Sequence, residues 1–126
     1  MNILLIAIGG ALGTVARWGL AQLTPAHPGS IPWVTLGINV SGSFVLGFLG
    51  RLLGSITPAP SPSIVAALTV GLCGGFTTFS TFSGETWQLL EGGQWGRAMG
   101  YALASVALSI AAFGAGLALA RVMRPS

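Results

Sequence analysis

The chain has no lysine and no aspartate, and its only charged side chains are Arg17, Arg51, Arg97, Arg121, Arg124, Glu85 and Glu91. Charged residues make up 6% of 126 residues, against about 25% in a soluble domain. That excludes an ordinary soluble globular protein. The net charge of +3 does not read as nucleic-acid binding, because the arginines stand scattered at segment ends and form no patch. One cysteine, Cys73, forms no intramolecular disulfide, and in an apolar segment it reads as a small core residue. The one histidine, His27, lacks the further ligands a metal would need and reads as a solvated loop residue. With no general acid–base pair and no metal cluster, a membrane enzyme is the least supported class. The first apolar run has no basic flank and no small-residue cleavage site before a polar domain, so it reads as a retained span.

What the sequence has is apolar length. Hydrophobic residues account for 52% and fall into four runs, at about 3–23, 33–53, 63–90 and 98–120. Each is long enough to cross ~30 Å of hydrocarbon. The expectation is one four-span, all-helical membrane domain over residues 1–126. Small residues recur four apart: Gly9 and Gly13, Gly37 and Ser41, Ser43 and Gly47, Gly50 and Gly54. Such pairs let helices approach closely. Asn39 lies inside the second run, where an amide needs a partner across a helix interface or a wet cavity. Arg17 lies near the end of the first run, placed to snorkel to the interface or to pair with a neighbour. The fourth run carries Tyr101, Ser105 and Ser109 four apart on one face.

The third run is too long. As one helix it would measure ~42 Å, so a break is expected, and Gly71 to Glu85 (GLCGGFTTFSTFSGE) is where it belongs. Gly71, Gly74 and Gly75 each cost roughly 1 kcal/mol against alanine in a helix interior, and β-branched Thr77 and Thr78 follow. The stretch also concentrates the hydroxyls of Thr77, Thr78, Ser80, Thr81 and Ser83, with Phe76, Phe79 and Phe82 three apart. A broken helix with hydroxyls and aromatics at membrane depth is a setting for ion sites. A glycine-rich packing segment whose hydroxyls bond back to the chain fits the same residues.

Four spans put both termini on one side, with Arg51, Arg121 and Arg124, and leave Arg97 and Arg17 toward the other. Three against two is a weak orientation bias. Trp18, Trp33, Trp87 and Trp95 all flank spans on the second side, whereas tryptophan favours both interfaces. Two copies in opposite orientation would supply each interface with one set. Four helices packed 8 to 10 Å apart also fill their own centre, so a transport path implies an oligomer.

Three motifs, GGALGTVARW at Gly9–Trp18, NVSGSFVLGFL at Asn39–Leu49 and GLCGGFTTFSTFSGE, resemble closely the Fluc (CrcB) family of fluoride channels, over nearly the whole chain. The resemblance implies an antiparallel, dual-topology homodimer in the cell membrane, with two fluoride pores, exporting the ion and protecting the cell. It implies that Gly74 and Thr77 give backbone carbonyls to a structural sodium ion at the dimer centre. Phe79 and Phe82 become the pore-lining aromatic pair, and Ser80 and Thr81 a polar track beside them. Asn39 becomes a pore donor, Tyr101, Ser105 and Ser109 line the path or vestibule, and Arg17 sits near the aqueous entrance. Glu85 matches an acidic position of the family just past the aromatics, and its role is left open.

The chemistry agrees without selecting the ion. A pore for a small, strongly hydrated anion must replace water with hydrogen-bond donors, which hydroxyls and an amide supply without a trapping charge. Aromatic edges are positive, and hard cations take oxygen ligands. A small multidrug-type proton antiporter is the alternative, also short and four-span, but it needs a membrane-embedded carboxylate. The first, second and fourth runs have none, and Glu85 lies toward the end of the third. A non-transporting assembly subunit would leave the hydroxyl–aromatic cluster without a purpose.

Overall fold

The computed structural model describes residues 2–24 and 27–124, so Pro25 and Ala26 of the first loop lie outside the described residues. Every regular element described is helical: α1 (Asn2–Leu23), α2 (Trp33–Gly54), α3 (Pro62–Ala66), a π-helical stretch (Ala67–Cys73), α4 (Gly74–Phe76), α5 (Phe79–Glu91) and α6 (Trp95–Met123). Together they make four segments long and apolar enough to span a membrane: Ile3–Leu23, Trp33–Gly54, Pro62–Glu91 and Trp95–Met123. The chain is a multi-pass membrane protein. The fourth helix starts three residues before its apolar run, because Trp95 and Gly96 belong to its first turn.

The ends of these helices are set locally. Ser61 caps α3, its hydroxyl accepting from Ile64 N at 3.3 Å, with Pro62 in the first turn where its missing N–H costs nothing. α5 stops where Gly93 takes a positive φ of 72°. Gln94 N then bonds Leu89 O at 2.9 Å and Gly93 N bonds Leu90 O at 3.0 Å, the paired bonds of a Schellman turn. The two loops at this end are tied together by Arg97, whose Nη1 donates to Gly29 O at 2.6 Å and Gln94 Oε1 at 3.0 Å. A small core of Leu36, Leu89, Ala98 and Tyr101 fills the bundle beneath them. Trp18, Trp33, Trp87 and Trp95 ring the same end, each between 61% and 66% exposed.

Backbone approach carries the rest of the packing. Along α1, a Cβ at Gly9 would fall on the Ala67 carbonyl oxygen, and one at Gly13 on that of Leu72. The reciprocal glycines are Gly71, against the Ile6 carbonyl, and Gly75, against that of Gly10. α1 therefore lies backbone to backbone along the π-helical stretch and α4. α2 and α6 repeat the device, Gly47 against the Phe113 backbone and Gly116 against Phe44 and Phe48. In hydrocarbon no hydrophobic force draws helices together, so close van der Waals approach does this work.

Candidate functional site

The site is built on the interruption of the third span. Thr77 (φ −81°, ψ 160°) and Thr78 (φ −152°, ψ 113°) are extended, and helix resumes at Phe79. Such a break strands carbonyls on one side and amides on the other, and at membrane depth each needs a partner.

Most of the stranded groups are capped by side chains. Cys73 O accepts from Thr77 N at 3.0 Å and from Thr77 Oγ1 at 2.9 Å. Gly75 O accepts from Arg17 Nε at 3.1 Å and Thr14 Oγ1 at 3.4 Å, so a cation sits at the negative end of the first half-helix. Thr78 N donates to Asn39 Oδ1 at 2.8 Å while Asn39 Nδ2 donates to Thr78 O at 3.1 Å. Thr78 Oγ1 in turn accepts from Thr81 N at 3.2 Å, starting α5. No cap of this kind falls on the carbonyls of Gly74, Phe76 and Thr77 among the described residues. Gly74 is exposed, with nothing within 4 Å of where a Cβ would stand. Uncapped neutral oxygens suit a hard cation.

Beside the break lies a groove of about 260 Å³, reached by Asn39, Thr77, Phe79, Phe82, Ser105 and Ser109. The structure thus brings together six of the residues expected from the sequence. Phe79 and Phe82 stack at 5.4 Å between centroids, tilted by 47°, and Phe82 meets Tyr101 at 5.3 Å, tilted by 48°. Phe79 is 76% exposed, so within one subunit its ring is not core.

Two kinds of hydroxyl stand out. Thr69, Ser83 and Thr86 bond back to the carbonyls of Val65, Phe79 and Phe82 at 2.8, 2.9 and 2.8 Å, the usual way a helix hydroxyl satisfies itself in hydrocarbon. Ser105 Oγ is buried at the groove with no hydrogen-bond partner, lying beside the Tyr101 hydroxyl without the geometry of a bond to it. Ser43 and Ser109 also face the groove and make no hydrogen bond within the chain among the described residues.

Other expected residues lie elsewhere. Ser80 is exposed, its Oγ 3.5 Å from Thr78 Oγ1. Thr81 faces a second cavity of about 320 Å³ toward the tryptophan end, shared with His27, Thr35 and Glu85. Tyr101 is fully buried behind Phe82 and donates to Glu85 Oε2 at 2.7 Å. Thr35 donates to Glu85 Oε1 at 2.7 Å, so both oxygens of that carboxylate are held. Arg17 turns to the break, where its guanidinium caps α4.

Thr14, Thr35 and Ser43 also belong to the site, though sequence reasoning gave them no functional role. Ser43 carried a signal, standing one helical turn from Asn39. Thr14 and Thr35 carried none, because their partners are 61 and 50 residues away in the chain.

Comparison with known proteins completes the description. The profile of the family described as CrcB-like protein, Camphor Resistance (CrcB), matches residues 4–117. The Fluoride-specific ion channel FluC of Rhizobium meliloti (strain 1021) is 48% identical over 124 residues, covering 97% of this chain and 98% of the relative. The protein of the same name from Thermus thermophilus is 46% identical over 108 residues, 85% of each chain. That of Opitutus terrae is 44% identical over 116 residues, 86% of this chain and 84% of the relative.

Proposed function

This chain belongs to the CrcB-like family, and from that premise we propose that it is a fluoride-specific ion channel of the cell membrane, not an enzyme, passing the ion passively outward and so relieving fluoride toxicity. The observation that carries the reading is the groove beside the break. Ser43, Ser105 and Ser109 leave their hydroxyls unspent there, and Asn39 uses one amide N–H on Thr78 and keeps the other.

In this mechanism fluoride sheds water against neutral donors that hold it without a fixed charge to trap it. Phe79 and Phe82 then offer positive ring edges along the narrowing. The exposure of Phe79 and the one-sided groove suit a path completed by a second copy. The proposed assembly is an antiparallel homodimer, which also gives each interface a tryptophan ring. At its two-fold axis the carbonyls of Gly74 and Thr77 from both copies make four oxygens for one sodium ion. That ion is structural and is not carried; it would tie the two broken helices together. Among the described residues no carboxylate lines the groove and both Glu85 oxygens are engaged, so no observation favours a proton antiporter.

The deciding experiment is efflux from liposomes holding purified protein. Rapid fluoride release with chloride retained is the expected result. Equal release of both ions, or of neither, overturns the reading.

A further inference from the structure

The groove does not end at Ser109. A further, open cavity of about 250 Å³ adjoins it, lined by Ser43, Ser109, Ile110 and Phe113. The two cavities share only Ser43 and Ser109. These serines come from α2 and α6, which pack so closely that Gly47 meets the Phe113 backbone. The joint between the cavities is therefore two hydroxyls facing one another's space across a tight helix pair.

Ser43 stands one turn from Asn39 on α2, and Ser109 one turn from Ser105 on α6. The four polar groups make two parallel steps along one wall. A serine in a membrane helix has a carbonyl within reach one turn back, and using it costs almost nothing. Ser41, two residues before Ser43, does this, donating to Ile38 O at 3.2 Å. Ser43 does not. A hydroxyl that forgoes its local carbonyl needs another partner. Either cavity has room for several waters, each occupying ≈ 30 Å³ in the liquid.

We propose that Ser43 is a wet, ion-contacting residue: it donates to the permeating anion where the path passes from the Phe113 cavity into the groove of Asn39 and the phenylalanine pair. The inference rests on the fluoride-channel reading and adds to it a donor and a direction of approach. Fluoride reaching this joint exchanges a water for the Ser43 hydroxyl on one side and Ser109 on the other. It meets Asn39 and Ser105 one turn further on. The small side chain matters as well, since a longer one would fill the joint.

Two measurements test it. Ser43→Cys protein in membranes is treated with the anionic, membrane-impermeant reagent 2-sulfonatoethyl methanethiosulfonate, and the mass shift is read. Ser41→Cys and the buried native Cys73 serve as controls. Modification at position 43 alone, followed by loss of fluoride current, is expected. Separately, Ser43→Ala should lower fluoride flux about threefold or more per folded protein, since one donor to an anion is lost, and Ser43→Thr should restore most of it. No modification at position 43, or wild-type flux in Ser43→Ala, overturns the proposal. If the wild-type protein carries no fluoride while position 43 still labels, it is the fluoride reading that has failed and not the wet joint.

Discussion

Asn39 and Thr78 form a closed pair across two spans: the amide oxygen takes the Thr78 N–H at 2.8 Å, and the amide nitrogen gives to the Thr78 carbonyl at 3.1 Å. The amide oxygen thus takes the place of the backbone partner that the Thr78 N–H lost when the helix broke, and the amide nitrogen adds a second donor to the carbonyl of the α5 N-cap. A primary amide offers a donor and an acceptor on adjacent atoms, and glutamine is a methylene too long for the same placement.

Asn39→Asp should therefore fail on two counts. Its second oxygen faces the Thr78 carbonyl with no hydrogen to share, and an ionised form places negative charge in the groove. Stability should fall by about 1–3 kcal/mol for the lost amide donor and the oxygen set against the carbonyl in its place, read as thermal unfolding in detergent. Fluoride efflux should fall at least tenfold. An Asn39→Asp protein with wild-type melting would remove the clamp from the account.

Replacing Phe82 with isoleucine tests whether its ring does more than fill space. Swaps that conserve apolar volume typically cost under ~1.5 kcal/mol, so folding and assembly should survive. If ring edges stabilise the anion, flux per folded protein should drop tenfold or more, with Phe79→Ile behaving alike. Wild-type rates in both variants would reduce the pair to packing and leave Asn39 and the hydroxyls to carry the ion.

Gly13 and Gly19 lie on the same helix and should answer to alanine in opposite ways. At Gly13 the new Cβ would come within 3.0 Å of Leu72 O and Phe76 N, backbone atoms that have no rotamer to yield. Overpacking of that kind costs roughly 1–3 kcal/mol or more. At Gly19 no described residue lies within 4 Å, and Gly19→Ala should be tolerated. The comparison is read as the folded fraction by size-exclusion chromatography after mild heating.

Sequence alone located the break well. Gly74, Gly75, Thr77 and Thr78 lower helix preference together, and the chain opens at Thr77 and Thr78. It also placed Asn39, Phe79, Phe82, Ser105 and Ser109 among candidates that the structure gathers at one groove. It missed what depends on distant partners. Nothing in the pattern around Arg17 points to Gly75 O, and nothing around Glu85 announces Thr35 and Tyr101. The π-helical stretch Ala67–Cys73 escaped too. Local propensity sets where a helix weakens, whereas its widening and capping are tertiary events, here tied to Gly9 and Gly13 of α1.

The tryptophan ring at one end bears on orientation. A single copy anchors only one interface with Trp18, Trp33, Trp87 and Trp95 and has arginines near both ends. The proposed antiparallel pair requires insertion both ways. A reporter fused after residue 126 should be found on both faces of the membrane in comparable amounts, by protease or thiol-reagent accessibility in sealed vesicles. Display on one face only would sink the antiparallel arrangement while leaving the groove chemistry untouched.

The uncapped carbonyls of Gly74 and Thr77 lead to the last expectation. The Cys73, Gly75 and Thr78 acceptors at the break are served by Thr77 itself, by Arg17 and Thr14, and by Asn39, while the Phe76 carbonyl, like those of Gly74 and Thr77, has no cap among the described residues. Leaving carbonyls bare at membrane depth would cost several kcal/mol, unless something outside the subunit meets them. Sodium fits neutral oxygen ligands chosen by size, and a two-fold axis doubles two oxygens to four. Assembly and flux should then depend on sodium, with the cation acting as a ligand of the folded pair. Exchanging sodium for N-methyl-D-glucamine should lower the melting temperature and the dimer fraction together, and restoring sodium should recover both. Alanine at Gly74 keeps the carbonyl and adds a methyl where nothing in the subunit stands, so any loss it causes must come from the partner or the ion. Unchanged assembly without sodium, with Gly74→Ala fully active, would show that the carbonyls are met in some other way and would remove the ion from the mechanism.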